Sequence, residues 1–177
     1  MLQSFKPILI VAGEPYSIFT EIFFKALKNN KFKRTIVLII SKELLIGQMK
    51  FFKYDLKINI INKNKIDFNK IKRNEINIIN VELNFKKNFD KISIKSNNYI
   101  HQSFKIALVL LKTNNFSGLV NGPISKKEFL KGKSLGITEY LSKKTNNTDN
   151  TAMLIFNKKL SVSPITTHLP LKDVHKK

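Results

Sequence analysis

The chain has 177 residues, 42% of them hydrophobic, with no Cys, no Trp and a formal net charge of +20. That length is one ordinary domain or about half of a two-domain protein, and the apolar fraction can fill a core, which argues against wholesale disorder. Absence of Cys excludes disulfides, thiolate metal sites and cysteine nucleophiles, and no apolar run reaches the roughly 18 residues that span a bilayer.

From Met1 to Ala12 there is one Lys, a short apolar run and no convincing small-residue cleavage site. The segment therefore reads as a first strand, not a signal peptide, and the expected location is the cytoplasm. Pro7 to Ala12 has the continuous apolar character of a buried strand, broken by Gly13-Glu14-Pro15. Ser17 is a candidate cap for a helix whose apolar positions Ile18, Ile22, Phe23 and Ala26 fall at helical spacing, ending at Asn29-Asn30. Thr35 to Ile40 is a second buried strand, Ser41 caps a helix toward Phe52, and Leu56 to Ile61 is a third strand. Strand, helix, strand, helix, strand is the order of an α/β sheet with crossover helices.

Residues 62–96 are Asn- and Lys-rich and read as a connecting region with one strand at Ile76 to Leu83. Asn97 to Thr113 carries Ile100, Phe104, Ala107, Leu108 and Leu111 on an amphipathic helix. Gly118 to Asn121 is a short strand stopped by Gly122-Pro123, and Ser125 caps a helix to about Leu130. Gly136 to Lys144 is another short helix. Thr151 to Phe156 and Leu160 to Thr166 are two strands that can form a hairpin, and Pro170 opens a last helix.

The charge raises nucleic acid as a partner. Of the 32 basic residues only Arg34 and Arg73 are Arg, the residue best suited to bidentate phosphate and guanine contacts. Lys is spread along the whole chain, with abundant Ile, Asn and Phe, as an A/T-rich coding sequence produces. The favoured reading is a solvated Lys-rich surface with no specific nucleic-acid partner and no membrane. Salt-sensitive, non-specific DNA binding is compatible with it.

Ligands in α/β sheets bind beyond the carboxyl ends of strands. Three such junctions stand out: Gly13-Glu14-Pro15, Asn121-Gly122-Pro123-Ile124-Ser125-Lys126, and Thr166-Thr167-His168-Leu169-Pro170. Neither G-x-G-x-x-G nor a P-loop occurs, so the usual nucleotide fingerprints are absent. His168 is either a divalent-metal ligand at a strand end or a hydrogen-bonded structural histidine in a turn. One histidine does not make a metal site, so two further ligands are needed. At Gly136-Ile137-Thr138-Glu139 the free N–H groups of a helix start can hold a phosphate, or Thr138 and Glu139 only cap the helix. Asn121-Gly122-Pro123 with Lys126 can contact an anion as well. His101 reads as helix surface or a satisfied core residue, and His175 as part of a frayed tail.

Taken together and in order, Gly13-Glu14-Pro15, Gly122-Pro123-Ile124 with Lys126, Gly136-x-Thr138-Glu139-Tyr140 and Thr166-Thr167-His168-Leu169-Pro170-Leu171 resemble the amino-terminal half of the 4-hydroxythreonine-4-phosphate dehydrogenases of pyridoxal phosphate biosynthesis. The resemblance implies an α/β fold, a mostly parallel sheet with flanking helices, similar to the isocitrate and isopropylmalate dehydrogenases and incomplete at the C-terminus. Residues 1–177 are then the amino-terminal part of a longer two-domain α/β dehydrogenase. It further implies a homodimer with the active site at the subunit interface, NAD or NADP as cofactor, and a divalent metal cation such as Zn, Mg or Co. The implied reaction is oxidation of 4-phosphohydroxy-L-threonine to 2-amino-3-oxo-4-phosphohydroxybutanoate, which decarboxylates to 3-amino-2-oxopropyl phosphate.

By the same resemblance His168 is the first of three metal-ligating histidines, and Thr138 and the position of Ile137 contact the substrate. The resemblance assigns no catalytic residue within this chain and leaves the cofactor-binding residues unknown. Two positions depart from the family. Ile137 stands where the family commonly has His and cannot donate a hydrogen bond. Tyr16-Ser17-Ile18-Phe19 stand where the family has small residues and Gly. The expectation is that 177 residues alone are inactive, because the other two metal histidines and much of the nicotinamide site lie in the family's carboxy-terminal half. The alternatives are a related dehydrogenase of 4-phospho-threonate or 4-phospho-erythronate, and a non-catalytic basic binding protein.

Overall fold

The computed structural model describes residues 6–30, 32–132, 134–148, 151–166 and 170–176. The chain divides into two compact units, residues 1–131 and 132–177. The first unit holds β1 (Ile8–Val11), α1 (Phe19–Asn29), β2 (Ile36–Ile40), α2 (Lys42–Phe51), β3 (Ile58–Ile60), β4 (Ile76–Asn80), α3 (Asn97–Lys112) and β5 (Leu119–Asn121). The strands make one parallel sheet in the order β3-β4-β2-β1-β5. This is the α/β architecture that the strand and helix order implies.

Side chains alternate across the strands, so each strand feeds two cores. On one face Ala12, Leu38, Ile40, Ile76 and Ile78 pack with Phe23 and Phe24 of α1 and Leu45 and Met49 of α2. Leu9, Val11, Val37, Ile39 and Ile79 point to the other face, where α3 packs on β1 and β2 and buries Ile100, Phe104 and Ala107. Burial on both faces is why these strands read as continuous Ile, Leu and Val runs.

Several boundaries differ from the sequence expectation. The α1 cap position is Ile18, which has no side-chain cap bond. Ser17 sits one residue earlier and its Oγ accepts from Phe19 N at 3.3 Å. The inward residues of α1 are Thr20, Phe23 and Phe24, while Ile18 and Ile22 are exposed. Residues 62–96 contain β4 and two short 3-10 turns, Phe68–Lys70 and Ile94–Ser96. Residues Lys126–Leu130 form a π-type turn, capped by Ser125 Oγ accepting from Glu128 N at 3.1 Å.

In the second unit α4 spans Ile137–Thr145 and Leu171–Lys176 is a 3-10 helix. The expected hairpin strands reduce to one antiparallel bridge, Ile155 with Val162. Thr151 is tied to α4 by a 2.9 Å bond from its Oγ1 to Ser142 Oγ.

Candidate functional site

In the first unit the carboxyl ends of β1 and β5 meet where the chain leaves β1 toward one side of the sheet and β5 lies on the other. Such a change of direction is where ligands sit in open α/β sheets. Gly122 N donates to Val11 O at 2.7 Å, and Glu14 N donates to Pro123 O at 2.8 Å. The two glycines allow this contact. Gly13 has φ +78°, and a Cβ on it would collide with Pro123 O; a Cβ on Gly122 would collide with Ala12 O. The first two sequence motifs are therefore one structural object, a crossing of two strand ends.

Glu14 emerges from this crossing and turns inward. It is 1% exposed, and neither carboxylate oxygen has a partner within hydrogen-bond geometry. Burial pushes its pKa up; the Ser96 hydroxyl, near the carboxylate but not in hydrogen-bond geometry with it, pulls it partly back, and the Glu128 carboxylate pushes it up further. Ser96, at the uncapped start of α3, is also buried with an unpartnered Oγ. Nearby Tyr99 OH accepts from Ser41 N at 3.2 Å, and burial pushes the phenol pKa far up. Gln48 Nε2 fixes the following loop by donating to Pro15 O at 3.0 Å and Asn88 O at 2.8 Å. A carboxyl held this way is suited to keep a proton closer to neutral pH than a surface Glu does. The sequence reading quoted Glu14 only as part of a motif and missed Ser96, Tyr99 and Gln48. The available signal was a charged residue directly after a buried strand, between Gly and Pro.

The start of α1 does not fit a dinucleotide pyrophosphate. Its first N–H, on Phe19, is already given to Ser17 Oγ, and the Phe19 ring lies against Gly122 and stacks on Phe23 with centroids 5.7 Å apart. Phe19 thus fills the turn between β1 and α1.

In the second unit Gly136 is the cap residue of α4 and, being glycine, supplies no side-chain cap. Ile137 and Thr138 occupy its first two positions and are half-buried. Glu139 lies in the first turn with its carboxylate beside Gly136. An anion bound at this helix start displaces or adjoins that carboxylate. Tyr140 is buried, and burial raises its pKa.

His168, with Thr167 and Leu169, lies outside the described residues. His101 is exposed on α3 with its ring 4.6 Å from that of Phe129, and His175 is exposed in the Leu171–Lys176 helix. Among the described residues no group of three or more His, Cys, Asp or Glu is placed to hold a metal. The described residues therefore do not make the metal centre that the family resemblance implies. No helix among them is long and apolar enough to cross a membrane.

The family model described as pyridoxal phosphate biosynthetic protein PdxA matches residues 32–177. The chain is 33% identical over 171 residues to the 4-hydroxythreonine-4-phosphate dehydrogenase of Sulfurihydrogenibium sp. strain YO3AOP1, covering 94% of this chain and 51% of that one. It is 25% identical over 178 residues to a protein of Oceanobacillus iheyensis named as a D-threonate 4-phosphate dehydrogenase, covering 96% and 52%. The fold matches the crystal structure of a 4-hydroxythreonine-4-phosphate dehydrogenase from Burkholderia phymatum with TM-score 0.81 at 20% identity, over 98% of this chain and 53% of that one. The chain spans about half the length of the curated relatives it matches.

Proposed function

The chain belongs to the PdxA family of pyridoxal phosphate biosynthetic proteins, and on that premise we propose that it forms the amino-terminal portion of an NAD(P)-dependent dehydrogenase of 4-phosphohydroxy-L-threonine. The observation that carries this reading is the 33% identity to a named 4-hydroxythreonine-4-phosphate dehydrogenase over 94% of the chain. In the proposed reaction the secondary alcohol loses hydride to the nicotinamide and a proton from its hydroxyl. The resulting β-keto acid releases carbon dioxide and takes up a proton, giving 3-amino-2-oxopropyl phosphate.

Within this chain the proposed substrate contacts are Thr138 and Ile137. The glycine-capped start of α4, a helix nine residues long, supports them, because first-turn backbone N–H groups suit a phosphate or carboxylate. His168 is the proposed metal ligand; the described residues hold no group of three or more His, Cys, Asp or Glu that would complete a site. The cofactor contacts, the homodimer with its interfacial active site, and a cytoplasmic location belong to the same proposal.

The test uses the cell that makes the chain. Deleting its gene is expected to create a requirement for pyridoxine. Extracts of the parent, and not of the deletion strain, are expected to form NAD(P)H from 4-phosphohydroxy-L-threonine with a divalent cation. Unchanged growth and unchanged extract activity overturn the reading. The 177 residues by themselves are expected to form no NADH.

A second reading, oxidation of 4-phospho-threonate or 4-phospho-erythronate, is favoured by the Oceanobacillus relative and by Ile137. An apolar residue there favours a substrate group that needs no donor. Extract turnover of the phospho-acids in preference to the amino acid selects it.

A further inference from the structure

Both arginines of this chain lie on one pocket. The cavity, about 370 Å³, opens at the amino ends of β2 and β4 and is lined by Lys33, Arg34, Lys72 and Arg73. It is at the opposite end of the sheet from the strand ends where Glu14 sits. With 32 basic residues and only two Arg, a surface of general lysines does not account for both arginines lining the same cavity. Arg offers a planar fork for phosphate oxygens, whereas Lys offers a point charge.

The site is also built. β2 and β4 pair with Val37 opposite Asn77, so the segments that precede them enter the sheet side by side. Asn77, 2% exposed, shapes the 72–75 turn from within. Its Oδ1 accepts from Lys72 N at 2.9 Å and from Asn59 Nδ2 at 2.8 Å, and its Nδ2 donates to Lys72 O at 2.7 Å and Glu75 O at 3.3 Å. A further bond from Nδ2 to Ile36 O, 3.3 Å, ties the turn to β2. On the facing segment one Arg34 Nη donates to Lys6 O at 3.3 Å, which steadies the guanidinium. Among the described lining residues are Lys33, Arg34, Lys72 and Arg73 and the carboxylate of Glu75, which is paired with Lys72 at 3.0 Å. The pocket floor is apolar, with Phe23, Leu27, Ile36 and Ile76.

We propose that this pocket binds a small phosphate-bearing molecule, its phosphate held between Arg34 and Arg73 and its apolar part on the floor. The volume suits a compact ligand, since small-molecule pockets begin at about 300 Å³. The proposal is independent of the dehydrogenase reading, because it uses none of the residues assigned to that reaction.

Calorimetric titration of the 177-residue protein with inorganic pyrophosphate and with ADP, at about 0.15 M ionic strength, tests it. Sub-millimolar binding of ADP, tighter than pyrophosphate, is expected. Arg73 is exposed, so Arg73→Gln leaves the fold intact and is expected to weaken binding by about tenfold or more. Arg73→Lys keeps the charge, loses the fork, and is expected to weaken binding too. Lys87→Gln, on the surface outside the pocket, is expected to change little. The proposal is overturned if neither probe binds, if Arg73→Lys binds like the parent, or if Lys87→Gln weakens binding as much as Arg73→Gln. Pyrophosphate binding as tightly as ADP removes the role of the floor and overturns it as stated. Arg73-dependent binding of a single-stranded oligonucleotide, with no binding of ADP, replaces it with a nucleic-acid site.

Discussion

At the scale of single residues, the crossing of β1 and β5 makes the strongest demands. Gly13 has a left-handed φ of +78° and backbone oxygen where a Cβ would go. Gly13→Ala therefore adds backbone strain and a steric clash, and is expected to lower the urea unfolding free energy by more than about 2 kcal/mol. Glu14 makes a demand of the opposite kind. Its folded pKa lies above the ordinary carboxylate value of 4.5 because burial penalises the anion. Below that value both folded and unfolded chains are protonated and the penalty is absent. As pH rises through the folded value, the unfolded chain has already released its proton, and stability falls. Glu14→Gln is expected to stabilise the protein at about pH 7.5 by about 1 kcal/mol or more and to change little near about pH 4. Urea midpoints at the two pH values check both the size and the sign. The sequence marked these residues as motifs but hid their physical reason, because the contact joins segments far apart in the chain.

At the scale of elements, buried strands were the most legible feature and helix faces the least. Ile36–Ile40 is apolar throughout, so length and composition identify it without periodicity. In α1 the run Ile22-Phe23-Phe24 puts apolar residues on two faces; of the set at helical spacing in the sequence, Ile18, Ile22, Phe23 and Ala26, Phe23 is buried while Ile18 and Ile22 are exposed. Tertiary packing chose Phe24, which stacks on Tyr54 with centroids 5.1 Å apart and is fully buried. Phe24→Ala is expected to cost about 3–5 kcal/mol of unfolding free energy. Ile22→Ser, 53% exposed, is expected to change it by no more than about 0.5 kcal/mol. Equal losses in a denaturant series contradict this assignment of faces. Strand order was also hidden: successive strands suggest neighbours, yet β4 lies between β2 and β3. The hairpin in the second unit was overread, because its apolar residues Leu154, Phe156 and Leu160 alternate like strands but remain exposed.

At the scale of the molecule, charge and exposed apolar surface act in opposite directions. A parallel sheet ordinarily has both faces covered. Here α1 leaves an apolar groove of about 500 Å³ along β1 and the edge strand β5, lined by Ile8, Ile10, Ile22 and Val120. Val120 is 52% exposed. Such a groove favours association, while a net charge of +20 holds copies of the chain apart. Salt decides between them, because the screening length is about 10 Å at 0.1 M and falls to about 3 Å at 1 M. Raising NaCl from about 0.05 M to about 0.5 M is expected to increase the apparent mass seen by light scattering. Val120→Lys, which puts a charge in the groove without touching the core, is expected to remove that increase. Assembly held together by bound polyanions responds in the opposite sense, because salt releases them. An apparent mass that falls with salt therefore contradicts the groove as the associating surface and makes the lysine surface the dominant one.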